Sequence, residues 1–115
     1  MRRIRKELHG VCRATDLIHG RDGQRITIAG SVICRQRPGT AKGFVFISLE
    51  DETGIANAIV TPALFEKQRL TISQEPFLKI HGILQNQEGV VSVKARLIEP
   101  LYAAELPWSE SYDFH

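Results

Sequence analysis

The sequence predicts an all-β domain, a small five-stranded Greek-key barrel with one short helix between the third and fourth strands. Five segments alternate apolar and polar residues with the period of a strand, and turn-forming residues separate them. Between the third and fourth segments the period changes to that of a helix. With 115 residues, 43% of them hydrophobic and 24% charged, the chain has the size and composition of one globular domain with its own core.

The first three strands form a meander and are predicted at residues 25–37, 44–49 and 55–60. In the second strand Val45, Ile47 and Leu49 share one face, because successive side chains of a strand point to opposite sides. We assign this face to the core, since its β-branched and leucine side chains continue into the third strand. Phe44 and Phe46 are then predicted to point outward.

A short helix is predicted to begin at Thr61, which serves as its cap, with Pro62 in its first turn. Leu64 and Phe65 are its apolar residues. Two more strands follow, joined by a hairpin turn over residues 86–89, and they are predicted at residues 77–85 and 90–98.

This order of three strands, one helix and two strands is that of an OB-fold, the five-stranded Greek-key barrel. Gly30 and Gly82 lie inside predicted strands and indicate the sharp bends that a small barrel requires. Residues 11–18 are predicted to hold a further short helix or turn. The predicted organisation is a polar lead-in, the OB-fold domain and an acidic, aromatic tail, at residues 1–24, 25–98 and 99–115.

Composition excludes several classes of protein. Cys12 and Cys34 form no CxxC pair and no histidine lies at ligand spacing, so we expect no disulfide framework, no zinc site and no cofactor. No segment approaches the ~18 apolar residues of a transmembrane helix, and the beginning of the chain lacks a signal-peptide core. A cytoplasmic protein without membrane contact is expected.

Catalytic chemistry is not indicated either. Glu50, Asp51 and Glu52 are consecutive in a predicted turn, where their carboxylates point in different directions, so they predict neither a metal site nor an acid/base pair. Asp51 is expected to accept hydrogen bonds from turn amides. Because no Ser/His/Asp arrangement and no phosphate-binding glycine motif is present, the chain by itself is not expected to be an enzyme.

The predicted nucleic-acid site combines exposed aromatic residues with cations. A ring can stack on any base while cations follow the phosphates, which suits single-stranded nucleic acid. The loop after the first strand is basic and rich in glycine, and one amide and two further cations extend this surface on later strands. The candidate residues are Arg35, Arg37, Lys42, Phe44, Phe46, Asn57, Lys94 and Arg96.

A second hypothesis is a protein-interaction module. The net charge of +2 is too small to prove a polyanionic partner. The same outward phenylalanine face, or the tail with Trp108, Tyr112 and Phe114, would then dock a partner protein. Asn57 likewise has two uses, since its amide can read a base edge or bond a neighbouring strand.

The motifs RQRPGTAKG (35–43), LEDETG (49–54) and ALFEKQR (63–69), with the closing YDFH (112–115), resemble one family. This family is the C-terminal OB domain of the error-prone relative of the bacterial DNA polymerase III alpha subunit, a family C polymerase. The resemblance covers residues 8–115. The stretch FISLEDETGIAN is also similar to the anticodon-binding OB domains of class II aminoacyl-tRNA synthetases, although Glu50 stands where those domains often have arginine.

The polymerase resemblance implies that the chain is the C-terminal fragment of a longer protein whose catalytic carboxylates lie upstream. It implies binding of single-stranded DNA, more than RNA, during damage-induced DNA synthesis. It also implies a mutagenesis accessory protein as a partner of the tail. We expect the module to be a monomer. The synthetase similarity implies a stacking role for Phe46 and places Asn57 on the binding face.

Overall fold

The computed structural model describes residues 11–39 and 42–101, and they form a closed five-stranded barrel. The strand order is β1-β2-β3-β5-β4, with β4 paired back to β1. β3 and β5 are parallel, and the other pairs are antiparallel. The strands are β1 (Arg25–Gln36), β2 (Val45–Glu50), β3 (Ile55–Val60), β4 (Phe77–Gln87) and β5 (Val90–Pro100). The predicted OB-fold is confirmed.

The core face of β2 is the predicted one. Val45, Ile47 and Leu49 are at most 4% exposed and belong to the central cluster. Phe46 points outward, as expected from the alternation of a strand.

Two short helices stand where one was predicted, α1 (Pro62–Lys67) and α2 (Arg69–Gln74). The Thr61 hydroxyl accepts a hydrogen bond from the Leu64 amide, so the predicted cap is present. The helices part at Gln68, whose φ is −122°. The Gln68 side chain accepts from the Ile98 amide at 2.9 Å and donates to the Ile98 carbonyl, as a neighbouring strand would. The break therefore ties the helical segment to β5.

The lead-in contributes to the barrel. A 3₁₀ helix spans Ala14–His19, and its Leu17 is 1% exposed within the central cluster. The Asp51 carboxylate joins this helix to the β2–β3 turn, because it accepts from the Ala14 amide at 2.8 Å and from the Thr53 amide at 2.7 Å. The packed unit therefore begins upstream of Arg25, inside the segment predicted as a polar lead-in.

Close backbone approaches explain two interior glycines. A Cβ on Gly30 would lie 2.5 Å from the Glu50 carbonyl oxygen, and one on Gly82 would lie 2.2 Å from that of Lys94. Real Cβ atoms do not come so near, so both positions require glycine. The sequence predicted sharp bends at Gly30 and Gly82, and the close approaches give a physical reason for glycine at both positions.

At the other end, β5 runs to Pro100 and Leu101 is 5% exposed, so the barrel extends past residue 98. Trp108, Tyr112 and Phe114 of the predicted tail lie outside the described residues. Within the described part of the chain, no helix is long and apolar enough to cross a membrane.

Candidate nucleic-acid interface

The outer face of β1, β2, β3 and β5 carries a row of side chains fixed by strand register. Gln36 pairs with Phe46, Phe46 with Ile59, and Ile59 with Lys94. Paired residues share one side of a sheet, with neighbouring strands about 4.8 Å apart. Phe46 and Lys94 therefore lie two strands, or about 10 Å, apart on one surface. We call the surface formed by Ile33, Cys34, Gln36, Phe46, Ser48, Glu50, Ile55, Asn57, Ile59 and Lys94 the Phe46 face.

The neighbouring row contains Cys34, Ser48 and Asn57. The Ser48 hydroxyl donates to the Asn57 Oδ1 at 2.9 Å. This bond orients the amide and, within the described residues, leaves the Asn57 Nδ2 without a hydrogen bond. Asn57 thus bonds a neighbouring strand, one of the two uses considered from the sequence, and the reading of a base edge by its Nδ2 stays a prediction.

The Phe46 face is more apolar than the sequence indicated. Phe46 is 37% exposed, Ile33 is 48% exposed and Ile55 is 54% exposed. Ile33 was missed because it is the extra residue of a β-bulge, where the β1–β2 register shifts between Val32 and Cys34. From the sequence, Ile33 was only a β-branched residue inside a predicted strand, with no sign of an exposed position.

Arg35 is set apart from this face by the same bulge. The shift of phase pairs Arg35 with Ile47, whose side chain is in the core, so Arg35 points to the inner side at the end of the barrel. Its guanidinium donates to the carbonyls of Ile72 at 2.7 Å and Glu75 at 2.8 Å. Arg35 therefore closes the last turn of α2, a use that its predicted role in binding phosphates did not include.

Arg37, Lys42 and Phe44 lie around the β1–β2 loop, of which residues 40 and 41 are outside the described chain. The Arg37 guanidinium lies 4.9 Å from the centre of the Phe65 ring, a cation–π contact with α1. Lys42 is exposed with a φ of 54°, and Phe44 is half-buried. A Cβ on Gly43 would lie 3.2 Å from Pro62, so the loop returns close against α1.

Lys94 and Arg96 both line a groove beside α1, but only Lys94 continues the row of Phe46. Opposite His81 and Gly82 the register shifts, and Arg96 is the extra residue on β5. Leu97, which alternation placed inward, is 47% exposed as a result. Lys94 belongs to the Phe46 face, whereas Arg96 lies on the adjoining wall formed by β1, β4 and β5.

The β4–β5 hairpin turn lies at the end of the face opposite to the β1–β2 loop. Glu88 and Gly89 form its two central residues, both with positive φ. Asn86 holds the lead-in, because its Nδ2 donates to the carbonyls of Ile18 at 3.0 Å and Gly20 at 2.9 Å. This turn is therefore anchored against residues 18–22, a contact with no signal in the sequence.

Among the residues that the structure describes, two side chains have shifted pKa values, and both lie off the face. The hydrogen bond between the Glu99 carboxylate and His81, at 2.9 Å, lowers the pKa of Glu99. Burial raises the pKa of the Cys12 thiol, with a further rise from Asp16. In residues 11–39 and 42–101 no three His, Cys, Asp or Glu side chains cluster as metal ligands would.

The fold and this face define a single-barrel OB module. The family model described as the OB-fold nucleic acid binding domain matches residues 26–101, which is most of the chain. The chain belongs to this family.

The chain is similar to error-prone DNA polymerases. That of Caulobacter vibrioides is 46% identical over 94 residues, which are 82% of this chain and 9% of that protein. That of Corynebacterium glutamicum is 43% identical over 112 residues, 97% of this chain and 11% of that protein. The resemblance drawn from the sequence motifs is confirmed, and the chain spans about a tenth of the length of these relatives.

Solved structures agree with the fold. Asparaginyl-tRNA synthetase from Pyrococcus horikoshii, complexed with asparaginyl-adenylate, matches with a TM-score of 0.57 and 27% identity. The match covers 70% of this chain and 19% of that one. The OBody AM1L10 bound to hen egg-white lysozyme matches with a TM-score of 0.64 at 17% identity, over 80% of this chain and 93% of that one, which shows the fold alone.

Proposed function

We propose that this OB barrel binds single-stranded DNA on the Phe46 face, as the C-terminal module of an error-prone DNA polymerase acting in damage-induced DNA synthesis. The observation that carries the proposal is the register of the face. It holds an outward aromatic ring, an oriented amide with an unused donor and a cation within three adjacent strands. These are the groups that stack on bases, bond their edges and contact phosphates.

The candidate cations fall into two groups, those on or next to the Phe46 face and those away from it. Lys94 lies in the row of Phe46, and Lys42 is exposed in the loop that follows β1. These two are the proposed phosphate ligands, together with Arg37, which follows β1 and contacts the Phe65 ring of α1. Arg35 plays a structural part, and Arg96 lies off the face.

The cellular context rests on the relatives. The sequence identity of 46% over 82% of the chain supports a place in an error-prone polymerase, where DNA is the nucleic acid present at the active site. In this proposal the longer protein supplies catalysis. The module acts as a monomer in the cytoplasm, and a mutagenesis accessory protein contacts the tail.

Substitution of Phe46 tests the stacking role. Phe46→Ala should weaken binding of oligo(dT) by about 1–3 kcal/mol, the usual contribution of one base stack. The fold should be retained, because the ring is outside the core. Phe46→Trp should retain binding, and Leu70→Ala, at an exposed apolar residue of α2, is the matched control. Fluorescence anisotropy measures the affinity and thermal melting checks the fold. Equal affinities for Phe46→Ala and Leu70→Ala would refute stacking on Phe46.

The apolar content of the face favours a second candidate, a protein-docking surface. Ile33 and Ile55 are about half exposed on the same face as Phe46, nearer the β2–β3 turn, and they add apolar area of the kind found at the centre of an interface. A salt titration separates the two functions. Phosphate contacts on a single strand lower log K with log salt by about 0.7 per contact, whereas apolar docking does not. Running the titration with oligo(U) as well tests the RNA alternative suggested by the synthetase similarity.

A further inference from the structure

A second basic surface lies on the wall next to the Phe46 face. An open groove of about 470 Å³ runs between β1, β4 and β5, with Arg25 and Arg96 on its sides. Its lining residues are Arg25, Ile26, Thr27, His81, Gly82, Ile83 and Arg96. A second groove, of about 330 Å³, adjoins it at Arg96 and continues to Lys67 on α1. We call Arg25, Arg96, Lys94 and Lys67 the basic strip.

Within residues 11–39 and 42–101, the cations of the basic strip have no carboxylate partner. No carboxylate lines either groove. In the described ranges, none of the four cations has a carboxylate oxygen within 4.0 Å, whereas Arg13 pairs with Asp16 and His81 with Glu99. Four like charges on one short strip repel one another, and a chain of phosphates is the ligand that relieves this repulsion.

The shape of the strip results from two features of the fold. Arg96 is the extra residue of the β5 bulge, and the bulge places the outward Leu97 directly after it. Gly82 lies opposite this bulge, where its backbone approaches β5 closely, and it forms part of the lining of the larger groove. The larger groove therefore lies at the β5 bulge, with Gly82 and Arg96 both in its lining.

The strip is continuous with the Phe46 face. Lys94 ends the row that begins at Gln36 and Phe46. The same Lys94 pairs with Ile83, and Ile83 pairs with Arg25 on the other side of β4. A single-stranded nucleic acid that passes from Phe46 to Lys94 thus reaches Arg25 by crossing from β5 over β4 to β1, a further distance of about 10 Å.

Resting on the proposed function, we propose that the basic strip is a second phosphate track, which holds the backbone of a single strand after it leaves the Phe46 face. Neither groove is lined by Phe, Tyr or Trp, and both ring nitrogens of His81 in the larger groove are engaged, by the Thr27 hydroxyl and the Glu99 carboxylate. The track therefore binds phosphates through its cations. It contributes to long ligands only. OB barrels bind from about 4 to about 16 nucleotides, and the track belongs to the upper part of that range.

Charge neutralisation at the three residues outside the Phe46 face tests the track. The variant Arg25→Gln, Arg96→Gln, Lys67→Gln keeps Lys94, Lys42 and Phe46. Affinity for oligo(dT) of about 4 nucleotides should be unchanged. Affinity for oligo(dT) of about 16 nucleotides should fall on the order of tenfold, with the salt slope reduced by about 2. All three side chains are exposed, so the melting temperature should be retained.

Two controls make the result specific. Arg13→Gln, Arg69→Gln, Lys79→Gln removes the same charge from positions that line neither groove, and should leave the slope for the long ligand unchanged. Arg25→Lys, Arg96→Lys, Lys67→Arg keeps the charge and should keep the affinity.

An unaltered slope in the groove variant, or an equal loss in the control, would overturn the track while leaving short-ligand binding on the Phe46 face intact. If the wild-type chain binds neither length, the proposed function itself fails, and the track with it.

Discussion

At the scale of single residues, Asp51 shows how one carboxylate can organise two elements. Its Oδ1 accepts from the amides of Thr53 and Gly54 and from the Thr53 hydroxyl, and its Oδ2 accepts from the Ala14 amide. The sequence predicted the bonds to the turn. The bond to Ala14 crosses 37 positions of the chain, and no local pattern contains it.

Replacing Asp51 should therefore destabilise the fold. We expect Asp51→Ala to lower the free energy of unfolding by about 2–4 kcal/mol. The part-buried amides of Ala14 and Thr53 lose a charged acceptor, and each hydrogen bond to such an acceptor contributes about 1.5–3 kcal/mol. Urea denaturation measures this change. Glu50→Gln, at an exposed position beside it, should stay within about 0.5 kcal/mol of wild type. Equal stabilities for the two variants would contradict the role assigned to Asp51.

At the scale of elements, two β-bulges decide which side chains form the binding surface. Ile33 is the extra residue in β1, and the shift turns Arg35 inward. Arg96 is the extra residue in β5, and the shift turns Leu97 outward. Strict alternation along each strand predicts the opposite sides for Arg35 and Leu97, because one added residue reverses every later position.

The bend at Gly82 is the element-scale prediction. Gly82→Ala should lower the free energy of unfolding by about 3 kcal/mol, because its Cβ would collide with the Lys94 carbonyl and force two paired strands apart. Gly39→Ala is the matched control, since nothing lies within 4 Å of a Cβ there. Chemical denaturation compares the two. A Gly82→Ala protein as stable as the control would mean that β4 and β5 separate at little cost.

At the scale of the whole molecule, the core of the barrel is completed by a side chain from a segment that the sequence placed outside the domain. Leu17 on the 3₁₀ helix is 1% exposed, whereas its neighbour Ile18 is 51% exposed. The polar composition of residues 1–24 concealed one apolar residue that packs into the core.

This adjacent pair gives the third prediction. Leu17→Ala should lower the free energy of unfolding by about 2–5 kcal/mol, because it leaves a cavity among β-strand side chains. Ile18→Ala changes a side chain of similar size on the surface and should cost well under 1 kcal/mol, about 0.5 kcal/mol or less. Thermal unfolding monitored by circular dichroism measures both. Similar melting temperatures for the two variants would show that the barrel is complete without the lead-in.

The sequence by itself determined the order of elements, the core face of β2, the outward direction of Phe46, the interior glycines and the cap at Thr61. These features depend on neighbours in the chain, through the periods of strands and helices and the preferences of caps. Only the tertiary structure decided the sides of Arg35 and Leu97, the closure by Leu17, the strand-like bonds of Gln68 and the grouping of cations into two surfaces. Each of these depends on register or packing between segments far apart in the chain, which residue periodicity does not encode.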